Sequence, residues 1–368
     1  MPHLHHEAPM FRFGIEHEVA LLRPDGQFAD FANTTFAEFA DLVAQLPLYA
    51  TDYPQLHVGD AGIRHKRWYI EGVERFDEAG QLVAFAAKGI EIRTTVHPTI
   101  VAAVAELTTS YGQLNAVAQA AGFTLINVAC HPLRTSFCYD PPLNAYEQRL
   151  FADEPEYQTE HLPMLTFGPD FNLSWSDLSP AQVCDLGRKL TFYSPAIVPF
   201  SFNAPFAAGQ RWEGLSWRTA LRTGARPAVR VYLAEPRDLM VSTPVLTKLA
   251  RNPHEVGRIE FKACDSCGDF GLYAALLALL KGLILDQSLL GRATTPNAAQ
   301  HQHAARWGWR DDALASRGAT VLAAATSALA GDPDAALLAP LAMALQQRSH
   351  PADALCAKYA QLWDGGMT

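Results

Sequence analysis

The sequence lacks the features that mark several classes of protein. Its six cysteines among 368 residues are too few for a disulfide framework. It has no long run of lysine and arginine, and its net charge is -9 with a pI near 5.8. Because a basic surface is needed to neutralise phosphates, we expect no nucleic-acid partner.

Long hydrophobic segments are scarce as well. The most apolar stretch, FGLYAALLALLKGLIL at 270–285, contains Lys281 and is shorter than the roughly 20 residues that cross a bilayer. We expect a buried core helix there and no membrane association. The sequence does not open on a charged segment followed by an apolar one, so we also expect a cytoplasmic protein.

Two glycine-rich phosphate-binding motifs are missing. Neither GxxxxGK[ST] nor GxGxxG following a strand occurs in the sequence. A nucleotide bound by this protein would therefore have to be held by metal ions and side chains.

The composition is that of a globular protein, with 49% hydrophobic and 18% charged residues. Alternating strand patterns dominate the first part of the chain, as in FRFGIEHEVAL at 11–21. A turn at 77–80 joins two further strand patterns, which predicts an antiparallel pair. From residue 270 onward the chain is rich in alanine and helical in pattern. This order predicts an α+β fold of one or two domains.

Four strand segments carry polar residues two positions apart, with apolar residues between them. These pairs are Glu16 and Glu18, Glu91 and Arg93, Asp170 and Asn172, and Glu260 and Lys262. Side chains two positions apart project from the same face of a strand, so in one sheet they would form a single acid-rich surface. Four unrelated solvent-facing strand edges are the alternative that the pattern leaves open.

Facing carboxylates repel one another unless cations lie between them. Mg²⁺ prefers hard oxygen ligands and often bridges to phosphates. Arg93 and Lys262 would then contact phosphate or carboxylate oxygens. The pattern thus predicts a site for Mg²⁺ and an anionic substrate.

Several segments resemble, in order and spacing, the motifs of the second glutamate–cysteine ligase family, the carboxylate–amine ligases. They are FGIEHE, KGIEIRT, SFNAPFAAGQRWEGLSWRTALR and GRIEFKACD, with HAARWGW similar to a late Arg-rich helical motif. The resemblance covers residues 11 to 310. We accordingly predict a catalytic domain at 1–310 and a helical C-terminal extension at 311–368 packed on it.

The resemblance implies a glutamine-synthetase-like fold, with a curved antiparallel sheet and helices on its outer face. It also implies the use of ATP and Mg²⁺. A small-molecule carboxylate would become an acyl phosphate, and an amine would then displace phosphate to give an amide. The sequence leaves the two substrates open, and also the oligomeric state, including a homo-oligomer.

The resemblance further implies roles for individual residues. Its metal ligands correspond to Glu16, Glu18, Glu91, Asp170 and Glu260. Its catalytic cations correspond to Arg93, Arg218 and Lys262, and its nucleotide contacts to Lys262, Arg306 and Asn172. Two positions depart from the family pattern: Lys262 stands where arginine is usual, and Asp170 stands in a motif that often carries histidine.

Other interpretations stay open from the sequence. One is an ATP-dependent phosphotransferase acting on a small nitrogenous substrate, and another is a non-catalytic relative. Cys264 and Cys267 form a lone CxxC, for which we favour buried thiols over zinc or redox chemistry. The glycine-flanked basic stretch at 59–67 would suit a loop that closes over phosphates, or a solvated loop.

Overall fold

A computed structural model describes residues 10–57, 66–153, 157–159 and 161–363. Most of the basic stretch at 59–67 lies outside these residues. The strands are β1 Phe11–Leu22, β2 Phe28–Ala29, β3 Trp68–Phe76, β4 Leu82–Arg93, β5 Thr124–Ile126, β6 Pro169–Trp175, β7 Phe206–Ala207, β8 Gln210–Arg211, β9 Val229–Leu233, β10 Thr247–Leu249 and β11 Ile259–Phe261.

Helices follow and separate these strands. They are α1 Phe36–Val43, α2 Pro54–His57, α3 Ile100–Ala120, α4 Ala145–Asp153, α5 His161–Leu165, α6 Pro180–Ile197, α7 Trp217–Arg222, α8 Phe270–Leu285, α9 Ala298–Trp307, α10 Asp312–Ala328, α11 Ala339–Gln347 and α12 Pro351–Trp363. No described helix combines the length and apolar character that spanning a membrane requires.

The main sheet has the strand order β10-β9-β11-β6-β1-β4-β3, and β2 and β5 both pair with β1. Its pairs are antiparallel apart from β9 with β10, which run parallel. The predicted α+β fold with a curved, mostly antiparallel sheet is confirmed. The parallel pair was not foreseen, because β9 and β10 were not recognised as strands from the sequence.

The apolar face of this sheet forms the main core. Ile15 of β1, Ile92 of β4 and Phe171 of β6 alternate with the polar residues, and each is 0% exposed. They belong to one cluster with residues of α3, α6 and α8. As expected for a buried helix, α8 packs nearly all of its circumference into this core.

Side-chain caps explain where the predicted helices begin. Thr99 caps α3 by accepting a hydrogen bond from the backbone N–H of Ala102. Ser179 and Gln182 form a reciprocal capping box at α6. The helices therefore start at the residues where the sequence supplies an acceptor for the unpaired N–H groups.

The alanine-rich region after residue 311 packs through α10 on α8 and α6. Lys281, the one charged residue of the α8 segment, binds Asp332 and Asp334 at 2.7 Å each. The predicted division between residues 310 and 311 stays a prediction.

Candidate active site

The polar face of the sheet lines a cavity of about 600 Å³. Strand register sets its contents, since Glu16 of β1 lies opposite both Arg93 of β4 and Asp170 of β6. Two positions along β1, on the same face, Glu18 lies opposite Glu91. Acidic residues are therefore placed directly against one another across the strands, an arrangement that is unfavourable without nearby cations.

Three of these carboxylates form what we call the first carboxylate trio, Glu16, Asp170 and Glu260. Their oxygen atoms lie within 4.8 Å of one another. Lys262 contacts Asp170 and lies 3.1 Å from Glu260. Arg258 approaches from the other side, 3.4 Å from Glu16 and 3.8 Å from Glu260.

The second carboxylate trio is Glu18, Glu71 and Glu91, again with oxygen atoms within 4.8 Å of one another. Arg93 contacts Glu91 and lies 3.6 Å from Glu71. Lys88 donates to Glu18 at 2.9 Å. In the part of the chain that the structure describes, these two trios are the groups of side chains able to hold a metal ion.

Arginines of α7 and the turn after it face the trios. Arg218, Arg222 and Arg226 line the cavity and follow one another at intervals of four residues. Arg218 is almost fully buried, at 3% exposure, and donates to the backbone carbonyls of Lys262 and Ala263 at 3.2 and 3.0 Å. It therefore fixes the chain that leaves β11.

Gly168 leaves the space that Arg218 needs. A Cβ atom at this position would lie 2.0 Å from Nη2 of Arg218. The Gly168 N–H also donates to Glu18 at 2.7 Å. A glycine is required here because the guanidinium and the second carboxylate trio both approach the same backbone segment.

Burial and neighbouring charges perturb the acids of the cavity. Burial raises the pKa of Glu91 well above its usual value, and the charge of Arg93 only partly opposes this. Burial likewise raises the pKa of Asp170 to about 6 despite Lys262 beside it. For Glu260, burial acts in the same direction but is outweighed by Lys262, Arg258 and Arg230, so its pKa falls to about 2.

The pKa of one of the cavity arginines is shifted as well. Burial lowers the pKa of Arg222 well below its usual value, and the charges of Arg218 and Arg226 lower it further. Three guanidinium groups held this close favour an anion between them.

The structure brings most of the residues predicted from the sequence together. Those that line the cavity are Glu16, Glu18, Glu91, Arg93, Asp170, Arg218, Glu260 and Lys262. Asn172 does not line this cavity, but it donates to Glu16 at 3.3 Å and accepts from Arg258 at 3.2 Å, and both of these residues do. Arg306 lies apart from the others, because it is exposed on α9 and does not line the cavity.

Several residues that line the cavity were not predicted from the sequence. A shift of register between β3 and β4 pairs Glu71 with Gly89 and Gly72 with Ala87, which leaves Lys88 between them. This bulge puts Lys88 on the same side as Glu91, although the two residues are three positions apart. Arg222 and Arg226 could have been found from their four-residue spacing after Arg218.

Strand β9 supplies two further residues that were missed, Arg230 and Tyr232. Both line the cavity, and the Tyr232 hydroxyl donates to Glu260 at 2.9 Å. Their signal was the same two-residue spacing that marked the other strands.

The CxxC pair belongs to the core. Cys264 is 0% and Cys267 is 3% exposed, and burial raises the pKa of each thiol to about 12. Asp265 between them accepts from Asn203 N at 2.8 Å and Ser216 Oγ at 3.0 Å. Neither thiol belongs to a metal-binding group among the described residues.

Comparison with known proteins gives the following relatives. No protein-family model matches the chain. A curated protein from Roseiflexus castenholzii, provisionally named glutamate–cysteine ligase 2, is 26% identical over 215 residues, which cover 55% of each protein. The match thus spans about half the length of that relative.

Solved structures share the fold across nearly the whole chain. A glutamate–cysteine ligase from Francisella tularensis, in complex with AMP, has a TM-score of 0.56 and 9% identity over 96% of this chain and 86% of that one. A bifunctional glutathione synthetase from Pasteurella multocida has a TM-score of 0.57 and 12% identity over 96% of this chain and 50% of that one. At such low identity these likenesses show the fold alone.

Proposed function

We propose that this chain belongs to the carboxylate–amine ligase family and is an ATP- and Mg²⁺-dependent ligase similar to glutamate–cysteine ligase. It would activate a small carboxylate as an acyl phosphate and pass the acyl group to a small amine. The curated relative named as a glutamate–cysteine ligase supports this assignment, and the fold shared with a glutamate–cysteine ligase in complex with AMP is consistent with it.

One observation carries the proposal: two carboxylate trios and an arginine cluster share one cavity. Each trio offers three oxygen atoms within 4.8 Å of one another, a donor set that suits Mg²⁺. The same cavity is also lined by Arg218, Arg222 and Arg226. A nucleotide triphosphate and a carboxylate substrate both need such a combination of metal-binding acids and fixed cations.

The residues of the chain have distinct roles in this proposal. The two trios would hold Mg²⁺, which neutralises charge on the phosphates when bound. Arg222 and Arg226 would bind anionic oxygens of the substrates, and Arg218 would position Lys262 through the backbone. Transfer of a phosphoryl group depends mainly on positioning and charge neutralisation, so no protein nucleophile is needed.

The test is ADP release with ATP and Mg²⁺ across a grid of small carboxylates and amines. Hydroxylamine serves as a general amine, because it converts an acyl phosphate to a hydroxamate that can be detected directly. We expect release that requires both co-substrates and yields a new amide by mass spectrometry. Glu260→Gln should abolish it, whereas the exposed Glu235→Gln should leave it intact.

Other outcomes would favour the other interpretations. A phosphorylated nitrogenous product without an amide would identify a phosphotransferase. Binding of ATP without turnover of any co-substrate would indicate a non-catalytic relative.

A further inference from the structure

Lys262 occupies an unusual position relative to the first carboxylate trio. The register of β11 on β6 pairs Glu260 with Asn172 and Phe261 with Phe171. The next residue of the chain, Lys262, therefore falls beside Asp170, whose other neighbour across the sheet is Glu16. The ammonium group thus enters the trio from within the sheet itself.

The contacts of Lys262 are those expected of a cation bound by the trio. Its Nζ contacts Asp170 and lies 3.1 Å from Glu260, so one ammonium binds two of the three carboxylates. The side chain is half-buried. Because Glu16 and Asp170 lie directly opposite each other, a positive charge here relieves their repulsion.

Lys88, the lysine beside the second trio, is held differently. An ammonium group has three donors, and Lys88 directs two of them to the backbone carbonyls of Pro163 and Thr166, each at 2.8 Å. Only the third contacts the trio, at Glu18. Lys88 is therefore anchored to the backbone at the side of its trio, whereas Lys262 is held by the carboxylates themselves.

We propose that Lys262 is a built-in competitor for the cation site of the first carboxylate trio. A divalent cation takes this site only when the ammonium leaves it, so the site binds more weakly than its three carboxylates alone would. The displaced ammonium then moves into the cavity, where it can contact an anionic oxygen. This inference rests on the proposed function in that it takes the trio as a Mg²⁺ site.

Binding of Mn²⁺ to the purified protein, followed by the electron paramagnetic resonance of free Mn²⁺, tests the competition. The wild type should bind Mn²⁺ weakly at the first carboxylate trio. Lys262→Met should lower the Kd of this site by about tenfold or more, because one competing charge is removed. Lys262→Arg keeps the charge and should keep the weak binding. Glu16→Gln added to Lys262→Met should abolish the gain, and Glu71→Gln, which alters the second trio, should leave it.

Thermal unfolding with and without Mn²⁺ guards against a folding artefact. The rise in Tm on adding Mn²⁺ should be larger for Lys262→Met than for the wild type, since a tighter ligand stabilises the native state more. Mn²⁺ binding that is unchanged or weakened in a folded Lys262→Met would overturn the competition while leaving the proposed function standing. Failure of both proteins to bind Mn²⁺ at all would overturn the two together.

Discussion

The two faces of the central sheet are built from the same strands, but burial stabilises the apolar side chains of one face and disfavours the charged side chains of the other. On the apolar face, Ile15 and Phe171 are 0% exposed and pack into the main core. On the cavity face, their chain neighbours Glu16 and Asp170 lie opposite each other as like charges. Adjacent residues of one strand therefore have opposite effects: one side chain stabilises the fold, and the next lowers its stability.

This difference indicates that the cavity face is arranged for binding and not for stability. The pKa of Asp170 is raised to about 6, chiefly by burial, so its ionised form is disfavoured in the folded protein. Clusters of this kind are typical of functional sites, where local stability is lower than it could be. Substitutions on the two faces should consequently affect different properties.

The largest expected effect is on the apolar face. Phe171→Ala removes a fully buried ring and should lower the free energy of unfolding by about 3–5 kcal/mol, measured by urea denaturation. Phe192→Ala is the matched control, since Phe192 is 46% exposed and should cost under about 1 kcal/mol. Equal losses at the two positions would contradict the division between core and surface.

On the cavity face, we expect a substitution to reduce activity without reducing stability. Glu91→Gln keeps the shape but removes a buried carboxylate whose pKa is raised by burial. ADP release should fall by about 100- to 1,000-fold, while the free energy of unfolding in metal-free buffer should stay the same or rise. A loss of stability comparable to that of Phe171→Ala would mean that the second trio is primarily structural.

Lower pH should reduce the free energy of unfolding through His301, a buried residue of α9. Its pKa is lowered by burial from 6.5 to about 4, and its ring lies 2.7 Å from Ser194 Oγ of α6. The unfolded chain takes up this proton first, so the stability is complete above pH 6.5 and is lost as pH falls toward 4. The loss should reach about 3 kcal/mol at most.

Urea denaturation between pH 7.5 and 4.5 measures this effect. His301→Gln should remove that part of the pH dependence, and His303→Gln, on the exposed side of the same helix, should retain it. Identical pH profiles for the wild type and His301→Gln would show that His301 is not the group responsible.

Local sequence patterns predicted the sheet and much of the cavity. Alternation identified the strands that carry Glu16, Glu91, Asp170 and Glu260, because a half-buried strand must alternate. It could not give their order in the sheet or the opposition of Glu16 to Asp170, since register depends on pairing between distant segments.

The reasons why the other cavity residues were not predicted are local. Lys88 sits at a bulge, where the two-residue alternation changes phase. Arg230 and Tyr232 lie on a strand of only five residues, so their two-residue spacing is too short a pattern to identify a strand from the sequence. Arg306 was predicted only because its motif resembles that of a family. Such a resemblance locates a residue in the sequence, but it does not show where the side chain lies in the fold.

The smallest expected effect is therefore at Arg306, compared with Arg222. Arg306 is exposed on α9, whereas Arg222 lines the cavity beside Arg218 and Arg226. Arg306→Ala should change ADP release by less than about twofold and stability by less than about 0.5 kcal/mol. Arg222→Ala should raise the KM of an anionic substrate by tenfold or more, since it removes a cavity cation that would form a charge-assisted contact. An increase in the KM for ATP in Arg306→Ala equal to that in Arg222→Ala would instead place α9 at the nucleotide, as the sequence resemblance implied.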